Sequence, residues 1–183
     1  MKLTEIPFKD DAFKACVLAT QKENAEDIIE LNCRKHKIES VEGIEYLTEL
    51  KLIDLTRNNL TKVDLSKNTK LEEIFLGNNA IEELDISGCK ELKHLEVFMN
   101  DLESLDISNN ALIEELWADV NEISVLNTDN LSELEDLRLN SNNIVDMDLS
   151  KNAKLKKIQV LENPLSDTTR SQLQALAAAQ IKM

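Results

Sequence analysis

The sequence predicts an α/β solenoid, in which short parallel strands stack into one curved sheet and a helix covers each end. Three observations lead to this fold class. A segment of 21 residues repeats without gaps along the middle of the chain. Each copy carries the same short alternation of apolar residues, and nearly every copy has an asparagine at the same place. Segments that could cap the stack lie before and after the repeats.

The repeat covers most of the chain. Five consecutive units of 21 residues begin with an apolar residue, at Leu50, Leu71, Leu92, Ile113 and Leu134. A partial copy begins at Leu155, and a unit of 22 residues begins at Ile28. Because no single unit could bury its apolar face alone, we expect the units to stack as the coils of a solenoid.

Positions within a unit are counted from its first residue. Positions four and six are apolar and predict a short strand with one face inward. Position nine is asparagine in every unit except the first, which has His36. Since the chain has only 3 glycines and 2 prolines, we expect asparagine to make the turns and its carboxamide to bridge successive coils. The unit at Ile113 is irregular, with Ala118 and Thr128 where larger apolar residues are usual.

The frame LxxLxLxxNxLxxLDLSxN is that of the leucine-rich repeat. The run IESVEGIEYLTELKLIDLTRNNLTKVDLSKNTKL and the leading stretch IPFKDDAFKACVLA resemble bacterial surface proteins of the internalin-like group. The resemblance covers roughly Ile28 to Leu165. It implies an α/β leucine-rich-repeat horseshoe with a parallel concave sheet. It also implies that the chain binds another macromolecule and is secreted or lies at the cell surface.

The predicted organisation has three parts: an N-terminal helical cap over 1–27, seven leucine-rich units over 28–165 with the last one partial, and a C-terminal capping helix over 166–183. The first helix should run from Asp10 to about Thr20, with an apolar face of Phe13, Cys16 and Val17. The last helix should be capped by Ser166 or Asp167, run to about Gln180, and cover the final coil with Leu173, Leu176 and Ile181. With both caps present, we expect the repeat array to be complete.

Composition narrows the partners and the compartment. The formal charge of −14 disfavours nucleic acid and anionic membranes, and no stretch is apolar enough to insert into a bilayer. The charged start does not resemble a signal peptide, which predicts a cytoplasmic protein if Met1 is the native start. The three cysteines, Cys16, Cys33 and Cys89, lack metal-binding spacing, and their odd number favours buried free thiols over a disulfide.

The candidate binding face is the outward side of the strands, at positions three, five and seven. Phe75, Phe98 and Trp117 fall there in three successive coils and should form one patch. Four acids and one base surround it: Glu73, Glu96, Glu115, Asp119 and Arg138. An apolar centre with a charged rim predicts that this face binds a protein, whose identity the sequence does not give. We expect the chain to be a monomer. The alternatives are a carbohydrate-binding or adhesive module, scattered surface aromatics, or Trp117 turned inward beside Ala118.

No catalytic, cofactor or metal site is predicted. His36 and His94 lie about three coils apart, and an open sheet would not desolvate a carboxylate pair such as Glu73 with Glu96. Position fifteen forms an acidic column that could bind calcium or, as we favour, accept N–H groups in its own turns. Its members are Asp64, Asp85, Asp106, Asn127 and Asp148.

Overall fold

The structure is a computed structural model and describes residues 1–177. Seven strands, one from each coil, form a single parallel sheet. They are β1 (Glu30–Asn32), β2 (Leu52–Asp54), β4 (Glu73–Phe75), β6 (His94–Glu96), β7 (Glu115–Trp117), β8 (Asp136–Arg138) and β9 (Lys157–Gln159). We call the outward face of this sheet the concave face. The other two strands, β3 (Lys62–Asp64) and β5 (Glu83–Asp85), pair with each other. The predicted leucine-rich-repeat solenoid is confirmed.

Each strand pairs with the next coil at the same repeat position. Glu73 lies opposite His94, and His94 lies opposite Glu115, because the spacing of 21 residues returns the chain to the same height. The central residue of every strand of the concave sheet is buried. The first and third residues therefore point outward, as the period-two alternation predicts.

The asparagines at position nine bridge the coils as expected. Asn58 shows the pattern: its Nδ2 donates to the Leu55 carbonyl in its own coil and to the Cys33 carbonyl in the coil before. Its Oδ1 accepts the backbone N–H of Ile38. These side chains satisfy backbone groups that would otherwise be buried without partners.

The sharpest backbone turn falls one residue earlier than expected, at position eight. All seven residues at this position have positive φ, between 53° and 63°, and none is glycine. They are Lys35, Arg57, Asn78, Met99, Val120, Ser141 and Glu162. Asparagine thus stabilises the turn from position nine, while the left-handed residue is of many types.

A second asparagine column, not predicted from the sequence, lies at position nineteen. Along the stack, Asn68, Asn110 and Asn152 alternate with Cys89 and Leu131. In the first unit, which is one residue longer, Leu47 at position twenty takes the corresponding place. Each of these asparagines donates from Nδ2 to two carbonyls of the preceding coil, as Asn152 does to Thr128 and Leu131. The irregular Thr128 has a role here, because its hydroxyl donates to Asn152 Oδ1 at 2.8 Å.

The N-terminal cap is tied to the first coil. Helix α1 (Asp11–Ala19) begins after Asp10, whose Oδ1 accepts the N–H of Phe13 and whose Oδ2 accepts that of Glu39. The prediction that all three cysteines are free was wrong, because Cys16 on α1 and Cys33 after β1 form a disulfide. An odd number of cysteines does not exclude one pair. The third, Cys89, is free and buried.

The C-terminal helix α2 (Asp167–Ala177) covers the last coil. Ser166 caps it by accepting the N–H of Thr169 on its hydroxyl, and Leu173 is buried. The predicted end at Gln180 and the predicted contact of Ile181 lie outside the residues that the structure describes. Within residues 1–177, no helix is both long enough and apolar enough to cross a membrane.

Candidate functional site

The concave face carries a continuous row of rings from three successive coils. The ring of Phe75 lies 5.1 Å from that of His94, and His94 lies 5.2 Å from Trp117, measured between centroids. We call these three residues the aromatic ladder. Phe75 and Trp117 occupy position five of their coils, two coils apart, and His94 occupies position three of the coil between them. Strand register therefore places the imidazole diagonally between the two larger rings.

His94 was not among the predicted site residues, yet it holds the ladder together. Its Nε2 lies 3.0 Å from a carboxylate oxygen of Glu96, and its Nδ1 lies 3.2 Å from one of Glu115. An imidazole can donate to both carboxylates only when it is protonated. The sequence signal was the His-x-Glu spacing on one strand face, together with a glutamate opposite the histidine in the next strand.

The pKa of His94 reflects this setting. Burial alone would lower the pKa of the imidazole, because it disfavours the charged form. The hydrogen bond and charge of Glu96, followed by the charges of Glu115 and Glu73, outweigh burial and raise the pKa above its usual value. The imidazole at the centre of the ladder therefore stays protonated to a higher pH than a free imidazole, with carboxylates around it.

Trp117 is covered on its other side by Arg138. The guanidinium carbon lies 3.6 Å from the centre of the indole, within cation–π range. Asp136 fixes the guanidinium through a hydrogen bond of 2.9 Å from Arg138 Nη2. The indole is on the outward face and is half-buried, so it does not turn inward beside Ala118. Its Nε1 is buried and has no acceptor within residues 1–177, so no hydrogen bond from the indole fixes the ring.

Phe98 lies at position seven, beside the ladder. Its ring stands over Gly77 of the preceding coil, where a Cβ would approach the ring carbons to 2.5 Å. Phe98, Phe75 and Leu52 line a shallow depression of about 380 Å³ on the concave face. The three predicted aromatic residues therefore share one surface, although Phe75 and Trp117 are joined through His94.

The four predicted acids differ in their surroundings. Glu96 and Glu115 both bind His94. Asp119 accepts the backbone N–H of Asn140 at 2.8 Å and its Nδ2 at 2.6 Å. The side chain of Glu73 is exposed and forms no hydrogen bond or ion pair within residues 1–177. Three of the four acids thus form hydrogen bonds to neighbouring residues of the concave face. Glu73 is the acid most accessible to a partner.

The acidic column at position fifteen is used in local turns. Each member accepts, on Oδ1, the N–H of the residue two positions later, at 2.8 to 2.9 Å. Hydrogen bonds from the following serines lower the pKa of Asp85, Asp106 and Asp148. These turns give the column a structural explanation.

Several solved structures share the fold at low sequence identity. The functional domain of InlJ from Listeria monocytogenes, which includes a cysteine ladder, is 22% identical with a TM-score of 0.58, over 91% of this chain and 53% of that one. Internalin C2 from the same species is 24% identical with a TM-score of 0.62, over 92% and 91%. A leucine-rich-repeat protein of Leptospira interrogans is 24% identical with a TM-score of 0.72, over 76% and 38%.

The chain thus spans about half the length of the InlJ domain and most of internalin C2. No protein-family model matches the sequence, and no curated protein matches it. The structural likeness establishes the leucine-rich-repeat fold.

Proposed function

We propose that this chain is a non-catalytic protein-binding scaffold that recognises another protein through its concave face. The aromatic ladder is the observation that carries the proposal. It places Phe75, His94 and Trp117 in one row, with Phe98 beside it, on an open sheet. Clustered aromatic side chains on an exposed surface are typical of interaction sites.

The ladder is also held rigid before any partner arrives. Arg138 is stacked on Trp117 and bound to Asp136, while His94 is bound to Glu96 and Glu115. Side chains that are already ordered lose less entropy on binding, so more of the contact energy becomes affinity. An open sheet with a rigid apolar centre suits a protein surface better than a small molecule, which needs an enclosing pocket.

We further propose that the protein is secreted or lies at the cell surface and acts as a monomer. The disulfide between Cys16 and Cys33 supports this compartment, because disulfides persist mainly in oxidising environments. Free thiols at all three cysteines would have favoured the cytoplasm, and the disulfide replaces that expectation.

A pull-down with matched variants tests the proposal. Wild-type protein and a triple variant, Phe75→Ala, Phe98→Ala and Trp117→Ala, are compared on bacterial and animal-cell lysates, with circular dichroism to check folding. A second triple variant removes exposed apolar side chains outside the concave face, with Tyr46→Ala, Leu112→Ala and Val125→Ala. The proposal expects a protein retained by wild type and the control variant and lost by the ladder variant.

The same variants separate a protein partner from a glycan. Glu73→Lys should weaken protein binding, because Glu73 is the open acid of the rim. Glycan binding should depend on the rings and be largely insensitive to this charge reversal. Partners held equally by wild type and the ladder variant would contradict binding through the concave face.

A further inference from the structure

Two of the seven left-handed residues at repeat position eight differ from the other five. Met99 and Val120 are apolar, and 48% and 47% of their surface is exposed. The other five are Lys35, Arg57, Asn78, Ser141 and Glu162, all of them polar. A left-handed backbone is unfavourable for a branched side chain such as valine, whereas asparagine and glycine tolerate it. Folding alone therefore favours a different residue at position 120.

Met99 and Val120 occupy the same repeat position in two adjacent coils, at the edge of the concave face. The N–H of Met99 donates to the Asp119 carbonyl at 2.8 Å, and that of Asn100 donates to the Val120 carbonyl at 3.2 Å. Met99 and Val120 thus lie in adjacent coils, which are about 4.8 Å apart. Phe98 precedes Met99, so apolar surface continues from the ring over Gly77 onto this edge. We call Met99 and Val120 the apolar rim.

The charges around the apolar rim are negative. Asp101 and Glu122 follow its two members by two residues, are exposed, and form no ion pair within residues 1–177. Asp119 precedes Val120 on the concave side. The cationic residues of the left-handed column, Lys35 and Arg57, lie two or more coils away.

We infer that the apolar rim binds a segment of the partner protein that carries an apolar side chain flanked by lysine or arginine. This inference rests on the proposed function, because the apolar rim extends the concave binding face. The apolar side chain would lie against Met99 and Val120, where contact removes half-exposed carbon from water. The flanking cations would face Asp101 and Glu122, which gain the partners that they lack within residues 1–177.

A library of random peptides displayed on phage, selected on the wild-type protein, tests this inference. We expect the enriched peptides to combine an apolar residue with neighbouring lysine or arginine. Calorimetry should show that an enriched peptide binds the double variant Met99→Asn, Val120→Asn roughly tenfold more weakly. The melting temperature of this variant should be equal or higher, since asparagine suits the left-handed backbone. Ser141→Asn, at the same repeat position, is the matched control and should bind like wild type.

The outcomes separate this inference from the proposed function. Enriched peptides without cationic residues, or no enriched peptide, would overturn the inference. Peptides that bind the double variant as well as wild type but are lost on Phe75→Ala would overturn the apolar rim and leave the concave face as the site. Peptides lost on neither change would contradict both.

Discussion

The phenyl ring of Phe98 occupies the space that a side chain at Gly77 would fill. A Cβ at residue 77 would lie 2.5 Å from two carbons of the ring. Glycine is required here for this close approach. The absence of a side chain at Gly77 thus determines the position of the Phe98 ring on the concave face.

Substitution of Gly77 should therefore affect binding more than folding. In Gly77→Ala the ring can rotate away, so we expect a small change in melting temperature and a several-fold loss of partner affinity. Gly88→Ala is the contrast, because its Cβ would meet the backbone carbonyl of Ser66 at a distance that no side-chain rotation relieves. That variant should lose about 3 kcal/mol of unfolding free energy in urea titrations. Equal destabilisation by the two changes would contradict the account.

The hydroxyl of Thr128 should stabilise the second asparagine column. Thr128→Val keeps the shape and leaves Asn152 Oδ1 without its donor, so we expect a loss of about 1–2 kcal/mol in urea unfolding. The reverse change is made at Ile86, which has the same repeat position as Thr128. It lies in the coil before Asn110, whose Oδ1 has no hydrogen-bond partner among the described residues. Ile86→Thr should lower the unfolding free energy less than the matched change Ile107→Thr. The hydroxyl at 86 could donate to Asn110, whereas the hydroxyl at 107 would face Leu131. A larger destabilisation by Ile86→Thr than by Ile107→Thr would mean that the threonine hydroxyl does not stabilise the asparagine of the next coil.

Thiol counting should reveal the disulfide. The native protein should react with no thiol reagent, because Cys89 is buried and burial raises the pKa of its thiol to about 12. The unfolded, non-reduced protein should show a single thiol. Cys16→Ala with Cys33→Ala should lower the unfolding free energy by about 3 kcal/mol, and reductant should then have no further effect. Three thiols in the unfolded, non-reduced wild type would contradict the pairing.

His94 should make the concave face sensitive to pH. Its raised pKa means that its contribution to stability is complete below pH 6.5 and is lost as the pH rises through the folded-state value. NMR of the imidazole should give a pKa above 6.5, and Glu96→Gln should lower it. A wild-type pKa below 6.5 would mean that burial outweighs the carboxylates.

The repeat frame could be predicted because it rests on local periodicity. Apolar residues at positions four and six, together with the asparagine at position nine, determine the strand, its buried face and the register between coils. The outward location of Phe75, Phe98 and Trp117 follows from the same counting. The left-handed residue could not be found in this way, because position eight has no characteristic residue type.

The contacts that join different columns could not be predicted from one sequence. His94 contacts Phe75 and Trp117 along a diagonal that only the sheet geometry reveals. The disulfide depends on where α1 packs against the first coil, and the repeats do not encode that position. The irregular Thr128 has meaning only beside Asn152, which lies 24 residues later in the next coil.

The most direct test of the concave-face scaffold uses the only tryptophan of the chain. Trp117 lies on this face, so its fluorescence reports on the proposed site without a label. A partner recovered with the wild-type protein is added while acrylamide quenches the indole. If the partner binds the concave face, saturation with the partner should protect Trp117 from quenching and shift its emission. Tight binding, established by calorimetry, that leaves both the quenching and the emission of Trp117 unchanged would contradict binding at this face.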